Sequence, residues 1–265
     1  MASAQQPSRY GTPWTRDELI LAFDLYCRTP FQKTKTSNPE VQRLATLLRR
    51  SPASVARKLG NFGAFDPVLR SAEISGLVHT SKLDREIWDE FHSDWDTLVW
   101  EASKLRLAFE EERGETTSLI PPSGPSETLR MTKQRVHQAF FREAVLSSYD
   151  ETCCITGLRI RECLTASHIV PWSADEEHRA DPTNGLCLSS TFDRLFDAGL
   201  VAITEDLVVC VSEILLRARI PSTQELICKY HAKPMIRPIR FIPSADRLRW
   251  HLSNIFKDGR KKGAQ

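Results

Sequence analysis

Apolar positions recur at helical spacing through much of the first half of the chain. Leu19, Ala22, Phe23, Leu25 and Tyr26 follow a Thr15/Glu18 pair spaced as a capping box, which predicts a helix over about 15–28. Val41, Leu44, Ala45 and Leu48 mark a second helix. Ser51-Pro52, a cap followed by proline at the first helical position, opens a third at about 52. Ser81 to Asp84 starts another, and Trp88, Phe91, Trp95, Leu98 and Trp100 provide core material beyond it. Residues 114–127 are rich in Gly, Pro, Ser and Thr, so the boundary between a first domain, 1–113, and a second, 129–265, falls in a linker over 114–128.

The second half mixes periods. Val136, Ala139, Phe140, Ala144, Val145 and Tyr149 predict a helix over about 132–149. CCITGL and LTASHIV read as strands, the first running into a turn. A polar loop follows, then LSSTFDRLFDAG as a helix stopped at Gly199, then LVAITEDLVVCVS as two strands around a Glu-Asp turn. The chain closes on a strand pair and a last helix. The expected class is α+β.

Composition changes this picture little. The 265 residues are 41% hydrophobic and 26% charged, as in ordinary globular proteins. No run approaches the roughly 18–20 apolar residues of a membrane span, and MASAQQPSRYGTPWT has no apolar secretory region, so the expectation is a cytoplasmic protein without membrane partners. Seven cysteines without repeated spacing suggest reduced, mostly buried thiols.

Charge matters more by position than by its total of +2. Residues 84–115 hold 11 acidic and 4 basic groups, whereas 229–265 hold 10 basic and 2 acidic. Such asymmetry fits nucleic-acid binding or an internal contact equally. Arg49, Arg50, Arg57 and Lys58 lie on or beside the third helix in a helix-turn-helix-like pattern, with a plain helical bundle as the alternative. Arg57 and Lys58 are the first candidates for DNA contacts.

The chemistry-bearing residues are His168, Asn184 and Asp193, on a strand, a loop and a helix in that order. SHIVPW, DPTNGLCLS and FDRLFDAGL resemble the HNH endonucleases, more weakly from about Gln138 to about 205. That resemblance implies a ββα-metal nuclease unit with added helices and strands, joined by the linker to the helical first domain. It implies cleavage of double-stranded DNA with a divalent metal, with His168 as general base, Asn184 pinning the loop between second strand and helix, and Asp193 on the metal. A histidine near its ordinary pKa of about 6.5 suits proton abstraction at cellular pH.

Two departures stand out. Asp193 occupies a position often held by histidine or asparagine, which favours Mg²⁺ or Mn²⁺ over Zn²⁺. Ser167 precedes the base where many relatives carry a metal-binding aspartate. Asp197, four residues after Asp193, either assists the metal or braces the fold. Cys153, Cys154, Cys163 and Cys187 form no Cys-x-x-Cys pair, which argues against a structural zinc. The implied setting is a restriction or antiviral-defence nuclease whose first domain selects the target, acting as a homodimer if both strands are cut. The competing reading is a DNA-binding or protein-interaction module that keeps the HNH fold without catalysis, and the acidic 84–115 stretch suits a protein contact.

Overall fold

The computed structural model describes residues 11–71, 80–114, 126–175 and 178–259, without the side chains of 126–132. Packing groups the chain into two units, one of Met1–Ser147 with His178–Ala180, the other of Ser148–Glu177 with Asp181–Gln265. The architecture is α+β, helices dominating the first unit and two small antiparallel sheets lying in the second.

The first unit is a helical bundle around α1 (Arg16–Arg28), whose Thr15/Glu18 capping box is fully formed. Leu19 to Phe23 are wholly buried in succession, so α1 is surrounded rather than amphipathic. It packs against α2 (Pro39–Leu48), α3 (Pro52–Gly63), α5 (Lys82–Phe91) and α6 (Trp95–Glu111), while α4 (Pro67–Ser71) is a short turn of helix. The Phe23 ring sits 4.9 Å from Phe62 and 5.5 Å from Trp88, centre to centre. Trp88, Phe91 and Trp95 of α5 and α6 are therefore core, while Trp100 stays half-buried with Lys104 over its face. α2 and α3 are joined by a tight turn in which Arg49 adopts a left-handed conformation.

Helix α7 (Ser126–Ser148) begins well before the expected start at 132. Its first turns carry no apolar rhythm, but past Pro125 nothing in SETLRMTKQR opposes a helix. Most of the predicted linker, 115–125, lies outside the described residues, as do the basic 260–265.

In the second unit, β1 (Leu164–His168) pairs antiparallel with β2 (Gly185–Ser189), His168 opposite Gly185. α8 (Ser190–Asp197) follows directly on β2, whose end takes Leu188 and Ser189 from the predicted helix. Gly199 ends α8 at φ +70°, with Leu200 N–H reaching back to the Leu195 carbonyl. A side chain there would also strike the Ile255 carbonyl oxygen, 2.1 Å from where its Cβ would lie. β3 (Val201–Ile203) and β4 (Val209–Val211) form the second hairpin, as expected. Then come α9 (Glu213–Leu216), α10 (Pro221–Leu226) and α11 (Ala245–Asn254).

CCITGL is not a strand. Cys153 N–H bonds to Leu158 O and Gly157 N–H returns to Cys153 O, so the segment is a turn, with Gly157 at φ +75°. It is apolar because it is buried, with Cys154 bridging to Cys187 and Ile236 through its backbone. Periodicity alone does not separate a short strand from a buried turn.

Candidate active site

Asn184 is 1% exposed, at the last residue before β2. Its Oδ1 accepts from Val170 N–H at 2.9 Å and its Nδ2 donates to Val170 O at 3.0 Å, while its own carbonyl accepts from Ile169 N–H. A buried amide that satisfies both groups on one backbone residue fixes the exit of the chain from β1. His168, the end of β1, is thereby held on a rigid hairpin corner. Its Nε2 accepts a hydrogen bond of 2.6 Å from the indole N–H of Trp172.

Asp193 lies in the first turn of α8, where the helix dipole favours negative charge. Burial nevertheless raises its pKa, with the Ser167 hydroxyl and Arg194 offsetting part of the rise. Ser167 is 3% exposed, and its Oγ lies near the Asp193 carboxylate without a partner in normal hydrogen-bond geometry. Asp197, one turn on, is raised by burial and then by the charge of Asp193. Ser167, next to His168 in sequence, thus lies against Asp193, and Asp197 follows Asp193 one turn along α8.

These groups fit a hard divalent cation in their chemistry. Two carboxylates that repel each other and a buried, unpartnered hydroxyl are an all-oxygen donor set, and a cation would relieve the repulsion. Among the described residues no group of three or more His, Cys, Asp or Glu side chains stands where it could hold a metal ion. A small set suffices for Mg²⁺, which is commonly held through one or two carboxylates plus water and substrate phosphates. Cys153, Cys154 and Cys187 are buried. Burial and the neighbouring thiols push Cys154 well above its ordinary value.

The two candidate DNA contacts part company. Arg57 is exposed on α3 and lines a cavity of about 470 Å³ with Trp14, Arg50, Ser51 and Ser54. Lys58 instead enters a buried ion pair, its Nζ 2.7 Å from Asp84 Oδ1 with 13% of its side chain exposed. Arg50 pairs with fully buried Glu18 at 2.6 Å and stacks on Trp14. Two of the four cations of the helix-turn-helix pattern therefore hold the bundle together.

Sequence reasoning missed two supports of the site. Trp172 carried a signal in its place four residues after His168. Arg247, on α11, donates to Asp181 at 2.7 Å and Thr183 Oγ1 at 2.9 Å and lies 3.5 Å from Asp175, so it braces both arms of the loop that Asn184 closes. Nothing near the motif announces it. The basic C-terminal stretch is partly spent inside the unit: Arg240 is wholly buried, and Arg249 pairs with Glu205 and Asp246.

An antiparallel strand pair running straight into a helix, with a histidine at the first strand's end and an aspartate on the helix, makes a ββα unit. Residues 153–204 match the family model of the HNH endonucleases, HNH_2. The match is to a family of endonucleases. Among curated proteins, none matches the chain. Among the described residues no helix is long and apolar enough to cross a membrane.

Proposed function

We propose that this protein is a divalent-metal-dependent DNA endonuclease of restriction or defence type. His168 is the general base. Water gives a proton to the imidazole as its oxygen bonds to phosphorus, the P–O3′ bond breaks, and the leaving oxygen takes a proton from solvent. Asp193, assisted by Asp197, holds the cation, Mg²⁺ or Mn²⁺ by donor type. When bound, that ion neutralises charge accumulating on the phosphate oxygens. Asn184 acts by fixing the loop that carries the base. The helical first domain selects the target, with Arg57 facing the phosphates.

The observation that carries this reading is the approach of Asp193 to Ser167, the neighbour of His168 at the end of β1, with Asp197 one turn on, within the HNH-matched segment. Ser167, which supplies no carboxylate, favours the second reading, a DNA-binding module retaining the fold. Plasmid nicking separates them. Wild-type protein with Mg²⁺ or Mn²⁺ should convert supercoiled to open-circular DNA, and His168→Ala should slow this by about 10²–10⁴-fold with an unchanged melting curve. Equal rates for wild type and variant would leave the binding-module reading standing.

A further inference from the structure

The bond between Trp172 and His168 has a consequence for the base. An indole N–H can only donate, so the Nε2 of His168 that accepts it at 2.6 Å presents a lone pair. A neutral imidazole with its lone pair on Nε2 carries its hydrogen on Nδ1. In this arrangement neither nitrogen can take a proton from water, because Nδ1 is already protonated and the Nε2 lone pair is occupied. The two rings meet nearly edge to face, at 81° with centroids 5.4 Å apart, so the indole edge covers the nitrogen instead of stacking beside it.

We propose that Trp172 is a gate on the general base, closed in the free protein and opened when nucleic acid and metal engage the site. This deepens, and rests on, the assignment of His168 as base. The loop is built for such a movement. Val170, just before it, is fixed by both amide bonds of Asn184, and Asp175, just after it, is held by Arg247. Between these anchors runs a single turn in which the Ala174 and Asp175 N–H groups bond back to Pro171 O. The side chain of Trp172 is only half-buried, so it can swing out without opening the core. Once it leaves, Nε2 accepts the proton of the attacking water and becomes imidazolium, while the hydroxide oxygen goes to phosphorus.

Nitrogen NMR on the full chain labelled with ¹⁵N reads the gate directly. In the free protein His168 should show a hydrogen on Nδ1 and an acceptor Nε2. The Trp172 indole signal, assigned by its loss in Trp172→Phe, should shift when Mg²⁺ and a non-cleavable phosphorothioate duplex are added. In single-turnover nicking, Trp172→Phe should be faster than wild type by up to about tenfold, the worth of one hydrogen bond. A hydrogen on Nε2 in the free protein, or a Phe variant no faster than wild type, overturns the gate while leaving the base assignment intact. Should the Phe variant fail to fold, a His168 signal unchanged by duplex and Mg²⁺ in the wild type overturns it equally. Equal nicking by wild type and His168→Ala sinks the base assignment, and the gate with it.

Discussion

Asp84 in the first unit and Asp193 in the second are both drawn out of water, yet their acidities move in opposite directions. Burial pushes Asp84 up, but hydrogen bonds from Lys58, the Ser81 N–H and Asn61, together with the charge of Lys58, bring it below the ordinary carboxylate range. Burial pushes Asp193 up as well, and there the Ser167 hydroxyl and Arg194 compensate only in part. A carboxylate that the fold satisfies serves the fold. One left under-compensated beside a second carboxylate is available to a cation from outside, which is the kind of imbalance that functional sites hold.

The strongest way to break that contrast is to remove the compensation. Lys58→Ala leaves Asp84 charged and buried and should cost about 3–5 kcal/mol, read from urea denaturation. A loss under 1 kcal/mol would mean the pair contributes no more than a surface one. Asp193→Asn should do the reverse, leaving thermal stability undiminished or slightly raised while lowering Mg²⁺-dependent nicking on the order of 100-fold or more. If it unfolds the protein instead, Asp193 belongs with Asp84.

A smaller effect comes from His251, stacked on Phe196 at 3.7 Å with Nε2 against the Phe196 carbonyl. Burial lowers its pKa from 6.5 to about 4, against a hydrogen bond that raises it. The unfolded chain therefore binds the proton more readily, so this contribution is whole above about pH 6.5 and drains away as pH falls toward 4, by about 3 kcal/mol in all. In His251→Phe the pH dependence of the melting midpoint across that window should flatten. A slope identical to wild type would count against a buried neutral imidazole.

What could be read from the chain beforehand was what is local. The Thr15/Glu18 box, the helix starts at Ser81 and at Ser51-Pro52 and the Gly199 stop each lie within a few residues of their partners, and each stands where its pattern put it. CCITGL was misjudged because its burial comes from partners at 187 and 236. Lys58 looked like a surface cation for the same reason, since Asp84 stands 26 residues away and only packing joins them. At the site, the order of His168, Asn184 and Asp193 was legible. The pairing of Trp172 with His168 and the reach of Arg247 were not.

That reach bears on how portable the matched segment is. The HNH match stops at 204, yet one guanidinium from α11, 66 residues beyond Asp181, ties the loop on which the histidine's surroundings depend. In this protein the family segment is less a cassette than a keystone, cut to a common shape and held in place by masonry peculiar to its own arch.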